Sequence, residues 1–207
     1  MKRYPILFTA AFFLILISQY AFSQGVLISL DYNISYPTAD TKAFISDPSY
    51  RGIAVGSRGF FKPNFSAGIL LAWHTFEQKT DETLQLKEGS VQGEQTRVIR
   101  SYPFFLNAHY YLGEDHKFRL YLGANAGIYF ITERVEYGNT ELDKSNWHLG
   151  LAPEAGLLIP LSWYANIHLS ARYNYAFQSG ETITGEALPQ SYWGVSIGLA
   201  YFYSSLF

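Results

Sequence analysis

Ala165-Asn166-Ile167-His168-Leu169-Ser170-Ala171-Arg172-Tyr173-Asn174-Tyr175-Ala176-Phe177 is the stretch whose reading decides the fold. Its odd positions are Ala165, Ile167, Leu169, Ala171, Tyr173, Tyr175 and Phe177; its even positions are Asn166, His168, Ser170, Arg172, Asn174 and Ala176. Every large apolar side chain has one parity and every hydrogen-bonding polar side chain the other. Successive side chains of an extended strand point to opposite faces, so the segment is a strand with an apolar side and a polar side.

The same alternation recurs on both flanks. From Phe118 to Thr132 an apolar set (Phe118, Leu120, Leu122, Ile128, Phe130) interleaves with Arg119, Tyr121, Gly123, Asn125 and Gly127. Ile28–Tyr36, Trp147–Ile159 and Trp193–Tyr201 repeat it, and less regular strands are expected over Arg51–Phe61, Phe65–Glu77 and Arg97–Leu112. Pro103 lacks a ladder donor and is expected to mark a bulge or a frayed upper part. The count is eight, an even number as in single-chain bacterial barrels. Polar connections at Pro37–Tyr50, Gln78–Thr96, Arg134–Asn146 and Gln178–Gln190 are long. They alternate with short ones at 62–64, 113–116 and 160–163. Long outer loops and tight inner turns make this rhythm in membrane barrels.

Aromatic residues make up 18% of the chain and charged residues only 15%, against about 25% charged in an ordinary soluble domain. There is no cysteine, and the net charge of -2 includes no concentrated basic stripe, which argues against a nucleic-acid partner. Lys2 and Arg3, the apolar run Ile6–Ile17 and the small residues of Ala21-Phe22-Ser23 form a secretory signal peptide over 1–23, leaving 24–207 as one barrel domain. The run is shorter than the roughly 17–25 apolar residues of a spanning helix. A barrel is then the structure that satisfies every backbone group in lipid.

Alternation alone does not say which face is inside. A soluble lipocalin-like barrel would bury the apolar face; a membrane barrel turns it outward. The polar face here is built largely from Gly, Ala, Ser and Asn, which suit a narrow interior. Aromatics such as Tyr36, Trp73, Phe118, Phe130, Tyr175 and Trp193 sit near strand ends, as in interfacial girdles. The expected fold is all-β, an eight-stranded antiparallel up-and-down transmembrane β-barrel. Asp31, Arg58, Arg119, Glu133, Glu154, His168 and Arg172 fall on the inner parity as a structural lumen network, with Glu154 pairing to Arg119 or Arg172.

These features together resemble the OmpA-like and OmpX-like family of small outer-membrane barrels. The carriers are Ala21-Phe22-Ser23, the glycine-punctuated Leu120–Gly127, Ala171-Arg172-Tyr173-Asn174-Tyr175 and the terminal Phe207. The resemblance implies residence in the outer membrane of a Gram-negative bacterium, contact with outer-membrane lipid and lipopolysaccharide, and Phe207 as a C-terminal signal for the barrel-assembly machinery. Ser204 and Ser205 interrupt the pattern before it. A monomer is expected.

His168-Leu169-Ser170 resembles the His-x-Ser motif of lipid A deacylase barrels, but it follows a short turn and points inward, so an inner hydrogen-bonding pair is expected. His74, His109, His116 and His148 lack ligand-type spacing. The reading is a non-enzymatic outer-membrane barrel with a structural or surface-interaction role and no cofactor or metal. The alternatives are a narrow channel or transport accessory, a lipid-modifying barrel and a soluble binding barrel.

Overall fold

The computed structural model describes residues 25–203, without 87, 88, 92, 114–116 and 139, and with backbone only at 84–86 and 89–91. The proposed signal peptide, Phe207 and His116 lie outside the described residues.

The strands are β1 (Val26–Thr38), β2 (Ser49–Lys62), β3 (Phe65–Thr80), β4 (Leu84–Leu86), β5 (Gly89–Val91), β6 (Gln95–Leu112), β7 (Arg119–Tyr137), β8 (Thr140–Pro160), β9 (Ala165–Ala176) and β10 (Gln190–Tyr203). A short helix, α1, spans Ala39–Phe44. Eight strands close into a barrel in the order β1-β10-β9-β8-β7-β6-β3-β2, while β4 and β5 form a separate hairpin in the connection between β3 and β6. Closure is antiparallel pairing of β1 with β10, from Val26↔Tyr203 to Thr38↔Ser191, which leaves the barrel without a free edge.

The faces are arranged as in a membrane barrel. Leu106, Leu122 and Leu149 are 64%, 61% and 67% exposed, whereas Asp31, Arg58, Glu154 and Arg172 are buried. This excludes the soluble alternative, which needs the apolar face inside.

Several connections depart from expectation. Residues 134–146 are not a loop: β7 and β8 stay paired in one register up to Tyr137↔Thr140. Beyond Phe130 the outward face leaves the apolar band and carries Thr132, Arg134 and Glu136, so the hydrophobic alternation stops although the inward face stays buried at Ile131 and Val135 and backbone pairing continues. Cross-strand charge replaces it. Arg134 reaches Asp143 at 2.8 Å and Glu141 at 2.5 Å, and Gly138 supplies the left-handed turn conformation (φ 54°). Likewise β3 runs to Thr80, and the first long connection contains α1.

Pro103 is neither a bulge nor frayed. It pairs with Tyr129 on β7, and on the other side the β3 ladder skips from Leu71↔Phe104 to His74↔Ser101 without a register shift. Proline removes one donor there and leaves the strand path intact. The irregularities fall instead at Asn33/Ser35 and Phe60/Lys62.

Candidate functional site

Large rings fill the interior at two levels. Phe76, Phe105, Tyr129, Tyr192 and Ile131 cluster toward the long-loop end, and Leu27, Phe60, Tyr111, Tyr121 and Leu158 toward the short-turn end. Between them lies a polar layer centred on Glu154.

Glu154 stands directly across from Arg172 on β9, whose Nε donates to Oε2 at 3.0 Å. Arg58 reaches over from β2 and donates to Oε1 at 3.2 Å. The Tyr121 hydroxyl donates to Oε1 at 2.6 Å, Asn125 Nδ2 donates to Oε2 at 3.0 Å, and His109 Nε2 stands 3.9 Å from Oε2. On the other side of Tyr121, its hydroxyl lies 2.6 Å from His168 Nε2, and His168 Nδ1 lies 2.7 Å from Asp31 Oδ1. Ser29 donates to the other Asp31 oxygen. One continuous chain of charge-assisted contacts thus crosses the lumen and joins strands that are far apart around the wall. A buried charge is tolerable only when paired and multiply hydrogen-bonded, and Glu154, which accepts from Arg172, Arg58, Tyr121 and Asn125, meets that condition.

Two glycines make room for it. A Cβ on Gly156 would fall 2.3 Å from the Tyr121 ring, and one on Gly123 would fall 2.1 Å from the His109 ring. Each ring lies flat over the neighbouring strand at the point where that strand carries no side chain.

Of the seven residues placed in the lumen by parity, the structure brings Asp31, Arg58, Glu154, His168 and Arg172 together. Arg119 is elsewhere. Its guanidinium covers the Tyr111 ring at 4.8 Å and the Phe60 ring at 5.7 Å and donates to the Pro63 carbonyl at the short-turn end, so Glu154 pairs with Arg172 and Arg58 instead. Glu133 is at the opposite mouth. Its Oε2 accepts the Ile183 N–H and its Oε1 accepts from Gln190 Nε2, both at 3.0 Å. Gln190 Oε1 in turn accepts the Thr41 hydroxyl at 2.8 Å, and Thr41 Oγ1 accepts the Ser191 N–H at 2.7 Å. This relay ties α1 and the connection 178–190 down onto β7 and β10. Burial raises the Glu133 carboxyl above its ordinary range, opposed by the Ile183 N–H and by Lys144.

Sequence reasoning missed Tyr121, Asn125 and His109 as members of the layer. The available signal was parity, since all share the inner face with Arg119 and Glu154. The His168–Ser170 motif forms no pair: both His168 nitrogens are engaged, by Asp31 and Tyr121. His74 Nδ1 meets Ser35 and His148 Nδ1 meets the Phe177 carbonyl. Among the described residues no group of His, Asp and Glu is placed to hold a metal ion.

Outside, aromatic rings mark two rims. Trp73, Tyr102, Phe130 and Trp147 run around the long-loop side in successive contact, at centroid distances of 6.0, 6.2 and 4.8 Å. Tyr173 and Trp193 continue the ring at 5.0 Å. Tyr164 with Tyr201 and Phe61 with Phe65 mark the short-turn side. Among the described residues, the outward band between the rims carries no charged side chain.

A closed eight-stranded antiparallel barrel with its apolar face outward, ringed rims and a polar filled lumen is the fold of small outer-membrane barrel proteins. The chain superimposes on the attachment invasion locus protein Ail of Yersinia pestis with a TM-score of 0.54 at 13% identity, covering 87% of this chain and 99% of Ail. Neisserial surface protein A gives a TM-score of 0.54 at 12% identity, covering 86% and 97% of the two chains. The outer membrane protein OprG of Pseudomonas aeruginosa gives 0.52 at 15% identity, covering 88% and 97%. No protein-family model and no curated protein sequence matches the chain.

Proposed function

We propose that the protein is a non-enzymatic barrel of the Gram-negative outer membrane. In this reading residues 1–23 are an export signal, residues 24–207 are the barrel domain, and the role is structural or surface-interacting. The observation that carries it is the charge-free apolar band between the two aromatic rims, a surface that water would not tolerate and a bilayer requires. Long connections lie at one end, so that end faces outward. There the relay through Thr41, Gln190 and Glu133 holds α1 and residues 178–190 in place as a fixed surface. A narrow channel is disfavoured by the rings of Tyr129, Phe105, Tyr121 and Tyr111 stacked across the lumen. Membrane lipid, lipopolysaccharide and, through Phe207, the assembly machinery are the partners that this location calls for; a monomer satisfies the closed wall.

The test is migration of outer-membrane-fraction protein on SDS gels, boiled against unboiled. Faster migration of the unboiled sample is expected from a compact barrel. Recovery in the soluble periplasm without a shift would overturn the reading.

A further inference from the structure

We propose that the outer wall of β2, β3 and β6 carries a binding site for the phosphorylated headgroup of an outer-leaflet glycolipid. The proposal rests on the membrane reading above and names a specific partner site within it.

Arg51, Thr75 and Arg100 stand side by side on adjacent strands, through the register pairs Arg51↔Thr75 and Thr75↔Arg100. The row lies two residues beyond Ile53 and Trp73, or about 6–7 Å along the strand above the aromatic rim. That height is the headgroup level. A cleft of about 440 Å³ opens there between Tyr32, Arg51, Trp73, Thr75 and Arg100.

Three features make the cleft suited to a phosphate rather than to the bilayer at large. Among the described residues Arg100 has no hydrogen-bond or ion-pair partner, although it stands in a polar row directly above the apolar band. Arg51 is held by Glu77 at 2.7 Å through Nη1 alone, so its remaining donors are open, and its side chain is 71% exposed. Glu77 opposes an anion, but it is matched by Arg51 and leaves the Arg100 charge in excess. The Thr75 hydroxyl, between the two guanidiniums, accepts from Trp73 Nε1 at 3.0 Å, which leaves its own proton directed to a third partner.

Guanidinium groups recognise phosphate oxygens by parallel N–H donors, and two of them two strand widths apart grip one phosphoryl group from both sides or a neighbouring pair. The indole and phenol rings below lie at the level of a sugar-to-acyl junction. Further round the wall, the same row carries Thr132 and Ser145, so the cationic surface is confined to one sector. An acyl chain descending from the cleft passes Ile53, Trp73 and Tyr102 and then Val55, Leu71 and Phe104.

The experiment is native mass spectrometry of the mature barrel in a neutral detergent, titrated with diphosphoryl lipid A. The Arg51→Gln/Arg100→Gln double variant is run alongside, with phosphatidylglycerol and inorganic phosphate as further probes. Both proteins are first checked for heat-modifiable migration; loss of that shift in the wild type would sink the membrane reading itself. Removal of two charge-assisted contacts is expected to weaken lipid A binding by at least roughly tenfold in the still-folded variant. Equal lipid A binding by both proteins overturns the site. Arginine-dependent binding of phosphatidylglycerol to the same degree overturns the glycolipid in favour of any anionic lipid. Full competition by inorganic phosphate reduces it to a free-anion site.

Discussion

Glu154 compensates two guanidiniums at once, Arg172 beside it and Arg58 across the lumen, while also accepting from Tyr121 and Asn125. Replacing it by Gln keeps the shape, removes the charge and turns an amide NH₂ toward a donor. Removing one partner of a buried pair costs about 3–5 kcal/mol, so Glu154→Gln is expected to lower the urea midpoint of the barrel folded in vesicles by a corresponding amount. An unchanged midpoint would mean that the layer does not hold the barrel. Gly156 tests the same layer from the other side. A Val there meets the Tyr121 ring, and displacing that ring breaks its contacts to Glu154 and His168. Overpacking of this kind costs about 1–3 kcal/mol, and Gly156→Val is expected to show it in the same titration. The sequence marks Glu154 and Arg172 as inward by parity, but parity says nothing about height. Arg119 shares that inward face and is still far from Glu154, because strand stagger sets its level beside Tyr111 and Pro63.

At the scale of the element, the strands that touch lipid were legible in the sequence and those above it were not. In β9 an apolar face backs a polar one, and the residues record the difference; at the top of β7 and β8 the outward face turns polar, and backbone hydrogen bonds, the Thr132–Ser145 contact and Arg134 with its carboxylates hold the pairing there. Pro103 misled for a related reason. A missing ladder donor predicts a bulge or a frayed upper part, whereas β3 simply forgoes pairing at that step and resumes in register. The outer connection 178–190 has neither alternation nor ladder; it is held by Thr182–Glu186 bonds of its own, by Asn146 at the Glu181 carbonyl and by Glu133, which accepts the Ile183 N–H and Gln190. Because burial raises that carboxyl above its ordinary value, the folded state holds its proton more tightly than the open one. Stability from this group is therefore full below the ordinary carboxyl range and falls as pH rises through the shifted value. Hydrogen-exchange protection of the Ile183 amide, corrected for intrinsic rates, is expected to decline on going from acid to neutral pH. In Glu133→Gln that slope should vanish; a slope that persists would assign it to another group.

For the whole molecule, the decisive quantity is the medium around the wall, and depth is the variable that reads it out. Leu106 lies midway between the rims, opposite Ala126 and Ile69, while Leu112 closes the same strand at the short-turn rim. Both are outward and well exposed on the isolated barrel, at 64% and 49%. In water an arginine at either position would be close to neutral, since neither side chain packs against a core. In a bilayer the two sites differ. An arginine on the lipid face costs about 2–4 kcal/mol at the midplane and about 0–1 kcal/mol near an interface, where the side chain can snorkel to the headgroups. Leu106→Arg is therefore expected to destabilise the vesicle-folded barrel strongly and Leu112→Arg weakly. The contrast should collapse when both variants are compared in short-chain detergent, whose micelle deforms around the charge. Equal effects in vesicles would mean that the apolar band is not the membrane-spanning surface, and the assignment of outside and inside would have to be reversed despite the buried Glu154 layer.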